Sequence, residues 1–141
     1  MSPVPASAAF PHIILVVEDE DIVRQMLTRV LGNAGYRTLE ARHGEEALQM
    51  VTFAYPYLHL VITDVLMPKL DGRALGQRLR ERWPELPVLF ISGYPALDIF
   101  HPDEASAFAP FMQKPIDTDE LVGVVGRLLA QSIARASVPS T

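Results

Sequence analysis

Between residues 12 and 134 the chain alternates short, nearly continuous apolar blocks with longer stretches in which apolar residues recur every three or four positions. The short blocks are Ile13 to Val17, Leu58 to Thr63, Val88 to Ser92 and Phe108 to Gln113. Apolar residues on successive positions occupy both faces of an extended chain, which predicts strands covered on both sides. Tyr36 to Ala41 is more polar, with Tyr36, Thr38 and Glu40 alternating against Arg37, Leu39 and Ala41, and predicts a strand near a sheet edge. The amphipathic stretches set Ile22, Met26, Leu27, Val30 and Leu31 on one helix face, Ala47, Leu48 and Val51 on a second, and Ala74, Leu75 and Leu79 on a third. The last helix carries Leu121, Val124, Val125, Leu128 and Leu129 behind Asp117, Asp119 and Glu120, acids that suit a helix N-terminus. Pro95 and Pro102 interrupt the stretch after Ser92, so a short and irregular fourth helix is expected there.

Strict alternation of strand and helix predicts an α/β fold with a five-stranded parallel sheet between two helical layers, a doubly wound (βα)5 sandwich. A length of 141 residues predicts one domain. We place it at 12–134, between a Pro-rich tail at 1–11 without the basic start of a signal peptide and a small-residue tail at 135–141, both expected to be loose. No apolar run approaches the length of a membrane span. Twelve Lys and Arg against seventeen Asp and Glu give a net charge of −5, which disfavours nucleic acid and anionic lipid as partners and favours protein. The absence of Cys removes disulfide and thiolate chemistry and suits the cytoplasm.

In an open parallel sheet the ligand crevice lies beyond the carboxyl ends of the strands. Glu18 and Asp19 stand at the first such end, Asp64 at the third, Ser92 at the fourth, and Lys114, followed by Pro115, at the fifth. The flavodoxin-like strand order 2-1-3-4-5 would make the first and third strands neighbours and gather three carboxylates in one pocket. Carboxylates so crowded either hold a proton or gather round a cation, and hard oxygen ligands suit Mg²⁺, with Mn²⁺ as an alternative. Such an ion would neutralise an incoming phosphoryl group, with Lys114 as a point charge beside it and the Ser92 hydroxyl donating to one of its oxygens. Asp64 is then the candidate nucleophile, because a carboxylate can take a phosphoryl group as an acyl phosphate. Each residue also has an ordinary reading. Acids at 19–21 can cap a helix, Asp64 and Ser92 can serve turns, and Lys114, one of two Lys with Lys69, can be a solvated charge. Acid pair, acid, hydroxyl and amine on four separate strand ends, in that order, argue for the pocket.

At these residues the sequence resembles the receiver domain of two-component response regulators, in VVEDE, VITDVLMPKLDG, FISGY and QKP. The resemblance implies a phosphorelay function: acceptance of a phosphoryl group from a histidine kinase or histidine phosphotransfer protein onto Asp64, which changes protein contacts. It further implies that Glu18, Asp19, Asp64 and the backbone carbonyl of Leu66 hold Mg²⁺, that Ser92 and Lys114 bind the phosphoryl group, and that Lys114-Pro115 is cis. Ser92 and Phe111 would form the family's switch pair, although Phe111 also reads as apolar filler on an edge strand and lacks the commoner Tyr hydroxyl. Leu66 replaces the polar residue that in many members meets the attacking water, so slow hydrolysis is expected. The Pro-broken stretch with Gly93 and Tyr94 resembles receivers at the C-terminal end of hybrid sensor kinases, and both a stand-alone receiver and a piece of a larger sensor are compatible. The resemblance implies a kinase substrate and no enzyme acting on other molecules, and by analogy the partner docks on the first helix at Ile22 and Met26. A weak homodimer is compatible. Two other classes compete: an adaptor working through its fifth strand and last helix without phosphorylation, and an aspartate-based phosphatase, which would need a second acid where Leu66 stands. His12, His43, His59 and His101 lack the paired spacing of a zinc site.

Overall fold

The structure, a computed structural model, describes residues 12–67, 71–104, 108 and 110–137, except for the side chains of Leu97 and residues 132–137. Five strands, β1 (Ile13–Val17), β2 (Arg37–Ala41), β3 (Leu60–Asp64), β4 (Val88–Ser92) and β5 (Phe111–Gln113), form one sheet in the order β2-β1-β3-β4-β5. All four pairings are parallel, with Ile14 opposite Thr38 and Leu60, Asp64 opposite Ile91, and Ser92 opposite Gln113. The connections contain α1 (Asp21–Asn33), α2 (Gly44–Ala54), α3 (Gly72–Arg82) and α4 (Ala96–Ile99), and α5 (Thr118–Ser137) follows the last strand. This is the doubly wound sandwich that the alternating pattern predicts, with its strands in the flavodoxin-like order.

Side chains alternate across a strand, and the two faces of the sheet collect separate cores. Ile14, Val16, Leu60, Ile62, Leu89 and Ile91 pack with Leu27 and Leu31 of α1 and with Leu121, Val125 and Leu129 of α5. Leu15, Val17 and Val61 face the other way, onto Ala47 and Val51 of α2 and Leu75 and Leu79 of α3. A third cluster lies where a full fourth helix would pack. There Val65, Phe90, Phe100 and Phe108 are buried together, with the Phe100 and Phe108 rings stacked at 4.3 Å and Phe90 edge-on to Phe108 at 5.2 Å. Each aromatic buried this way contributes about 1.5–3 kcal/mol, so rings do the packing that four residues of α4 cannot.

Several expected boundaries move. The third strand begins at Leu60 rather than Leu58, because α2 gives way to a 3-10 turn at Tyr55–Tyr57 containing Pro56, and Leu58 N–H closes that turn onto Tyr55 O. The second strand begins at Arg37, after Gly35 (φ 99°) takes the left-handed conformation that ends α1. The fifth strand is only Phe111–Gln113: Pro110 has no N–H to pair, and Phe108 is spent on the aromatic cluster. Ile22 is not a core residue but 82% exposed. Five residues before Leu27 is about 140° round the helix, and the buried stripe runs through Arg24, Leu27 and Leu31 instead. The last helix continues to Ser137, beyond the expected end at Ala134, through Ala and Arg residues of high helix propensity. The expected tail at 1–11, and 138–141 of the other, lie outside the described residues. Among the described residues no helix is long and apolar enough to cross a membrane.

Candidate functional site

The carboxyl ends of β1, β3, β4 and β5 carry the polar residues that the pattern singled out. Glu18 follows β1 and is fully buried, its N–H held by Ala41 O at 3.0 Å, whereas Asp19 and Glu20 are exposed. Asp64 ends β3 and is 4% exposed, with Oδ1 accepting the Leu66 N–H at 3.1 Å. Lys114 follows β5, and its N–H donates to Ser92 O at 2.7 Å. Two strand spacings of about 4.8 Å separate β5 from β3, a gap that a lysine stem can cross. It does so: Lys114 Nζ lies 2.8 Å from Asp64 Oδ2, 2.6 Å from Glu18 Oε1 and 3.7 Å from Glu20 Oε1. The Lys114-Pro115 bond is cis, as expected.

Glu18, Asp19 and Asp64 each offer a carboxylate oxygen, all within 4.8 Å of one another. Burial, and then the neighbouring Asp64 carboxylate, push the Glu18 carboxyl up to about 8, with Lys114 pulling the other way. Burial lowers the Lys114 pKa, but bonds to Asp64 and Glu18 more than offset it and hold the ammonium above its ordinary range. Glu18 Oε1 is buried, and the Lys114 ammonium meets it at 2.6 Å. A pocket in which three carboxylates, two of them buried, converge fits a hard divalent cation. The alternative reading of the acids as a helix cap does not hold here, since Glu20 occupies the N-cap of α1 without a side-chain cap bond.

Ser92 is fully buried, and its Oγ accepts the Tyr94 N–H at 3.1 Å. Phe111 opens β5 opposite Phe90, half-buried and edge-on to Phe100 at 6.1 Å, which joins it to the aromatic cluster. Leu66 is 47% exposed. The histidines have structural partners where the structure gives them one: His43 Nδ1 accepts the Glu46 N–H as a cap of α2, and His59 Nδ1 accepts the Ile13 N–H.

Two residues around the pocket escaped the sequence reading. Gly72 opens α3 directly against β3: its N–H donates to Val65 O at 2.8 Å, and a Cβ there would lie 1.9 Å from Asp64 O. Arg24 is 5% exposed, with Nη1 donating to Glu18 O at 2.9 Å. Gly72 carried no signal beyond its place near a helix start. Arg24 did carry one, a charged residue three positions before Leu27 on a stripe that should be apolar.

A parallel sheet in this order, with acids at two adjacent strand ends and a lysine reaching them from a third, defines the class, and comparison with known proteins identifies it. The family described as the response regulator receiver domain matches residues 14–126, and the chain belongs to that family, the receiver domains of two-component signalling systems. It is 38% identical over 117 residues to the sensor kinase CckA of Brucella abortus, covering 82% of this chain and 12% of that protein. It is 31% identical over 116 residues to the response regulator receiver protein CpdR of Brucella abortus, covering 82% of this chain and 95% of that one. A solved structure of a putative response regulator from Chloroflexus aurantiacus is 37% identical, with a TM-score of 0.74 over 85% of this chain and 98% of that chain. The chain thus spans a small part of the sensor kinase and nearly all of CpdR.

Proposed function

We propose that this receiver accepts a phosphoryl group on Asp64 from a phosphohistidine of a histidine kinase or histidine phosphotransfer protein. An Asp64 carboxylate oxygen attacks phosphorus as the P–N bond to imidazole breaks; the bonding pair stays on the imidazole nitrogen, and the product is an acyl phosphate. Glu18, Asp19, Asp64 and the Leu66 carbonyl would hold Mg²⁺, or Mn²⁺ in its place, which when bound supplies positive charge to the phosphoryl oxygens. Lys114 already spans the pocket and moves its ammonium from the Asp64 carboxylate to the transferred group. Ser92 gives up no bond of its own hydroxyl hydrogen to Tyr94, since there it is the acceptor, and so keeps that hydrogen for a phosphoryl oxygen. Ser92 and Phe111 act as the switch, passing the change at the acceptor into the aromatic cluster.

The observation that carries this reading is the contact of Lys114 Nζ with both Asp64 and Glu18 across the sheet. Incubation with acetyl phosphate and Mg²⁺ adds one phosphate to the parent chain and none to Asp64→Ala; phosphate on that variant would overturn the assignment. Ile22, exposed on the first turn of α1 beside the acids, supports docking of the donor on this helix. The receiver is the kinase's substrate, acts in the cytoplasm through protein partners rather than nucleic acid or membrane, and is compatible with a weak homodimer.

A further inference from the structure

Among the described residues, Arg24 is the one buried charged side chain that does not itself line the acidic pocket. It occupies the core stripe of α1, where a guanidinium is costly unless its donors are satisfied. Three of them are. Nε donates to Glu40 Oε1 at 3.0 Å on edge strand β2, Nη2 to Asp21 Oδ1 at 2.5 Å in the first turn of α1, and Nη1 to Glu18 O at 2.9 Å. The third bond matters most, because Glu18 O belongs to the peptide group joining Glu18 to Asp19. The N–H on the other side of Glu18 is held by Ala41 O at 3.0 Å. With the peptide planar and both sides of Glu18 anchored, the direction in which the chain leaves toward Asp19 is set.

We infer that Arg24 is a positioning residue, which clamps the peptide between Glu18 and Asp19 so that both carboxylates face the place where a divalent cation is held. The inference rests on the cation reading given above. A residue that only stapled α1 to β2 would need the bond to Glu40, with Asp21 on its own helix, but not the bond to Glu18 O. Lysine cannot replace it, because one ammonium does not present the planar fork that reaches three acceptors on different elements.

Mg²⁺ titration by calorimetry, with denaturant unfolding of the same samples, tests this on the full chain. Groups that orient metal ligands typically change affinity about 10–100-fold when removed, and Arg24→Ala is expected to weaken Mg²⁺ binding by that factor. Arg24→Lys keeps the charge and is expected to weaken it about fivefold or more. Glu40→Gln loses part of the staple while keeping the bond to Glu18 O, and is expected to lower stability with Mg²⁺ affinity within about twofold of the parent. Parent-like Mg²⁺ affinity in Arg24→Ala, or in Arg24→Lys where the alanine variant does not fold, overturns the clamp. A parent chain that takes up no Mg²⁺ overturns the cation reading itself, a result visible before any variant is made.

Discussion

Leu66 is the side chain on which the lifetime of the proposed acyl phosphate on Asp64 is expected to depend. It sits two residues after Asp64 at the mouth of the pocket, 47% exposed, with its N–H on the proposed acceptor's Oδ1. A polar group there can orient the water that attacks an acyl phosphate, whereas an isobutyl group offers water nothing to bond and occupies its approach. Leu66→Asn is therefore expected to lose its phosphoryl group several-fold faster than the parent, measured as decay of the phosphorylated chain after the donor is removed. Slower decay in the variant would refute the argument. The same scale explains Lys114. Its stem bridges two strand spacings, and its single charge is shared among Asp64, Glu18 and the exposed Glu20.

At the scale of elements, the start of α3 is what holds the end of β3 in place. Gly72 lets the helix begin in contact with the backbone of Asp64 and Val65, and its φ is ordinary, so the requirement is one of space. A methyl group at 1.9 Å from Asp64 O cannot be accommodated by a side-chain rotation, since the atom it meets is backbone. Gly72→Ala is expected to destabilise the domain by about 1–3 kcal/mol in urea unfolding and to slow phosphoryl uptake by moving the acceptor. An unchanged midpoint would show that α3 is free to shift. On the other side of β4, four residues of α4 leave Phe100 and Phe108 to cover the sheet, and Phe111 touches that cluster directly. Val65, which follows Asp64, belongs to the same cluster and so joins the end of β3 to these rings.

For the whole molecule, the buried Glu18 ties stability to pH and, through the proposed cation site, to metal. Its carboxyl is pushed up to about 8, first by burial and then by Asp64, so the folded state keeps a proton that the unfolded chain releases near 4.5. The folded form therefore binds more protons between those values, and this group's contribution to stability falls as pH rises through about 8. His59, whose pKa burial lowers, acts in the opposite sense below its ordinary value of 6.5, which makes the interval from pH 7 to 9 the clean one for Glu18. Without Mg²⁺ the melting temperature is expected to fall from pH 7 and level off above about 8, with a smaller fall in Glu18→Gln. Because a cation at the proposed site would have to displace the Glu18 proton, apparent Mg²⁺ affinity is expected to drop about tenfold per unit of pH below 8. A pH-independent affinity would separate Glu18 from the cation site.

Local pattern alone determined the alternation of strand and helix, the short fourth helix and the residues at four strand ends, because buried strands, helix faces and prolines act through neighbours a few positions apart. The strand ends read as one pocket only once an order of strands was assumed, and the family resemblance made that order the natural one. What tertiary structure decided are the distances between parts far apart in the chain: that Lys114 crosses to Glu18 as well as Asp64, that Arg24 rather than Ile22 enters the core of α1, and that Gly72 has no room for a methyl group. It also decided that Phe108 joins a ring cluster instead of extending β5. Burial and close approach depend on what the rest of the chain brings to a residue, and a guanidinium with three acceptors from separate elements has the same one-letter code as one in water.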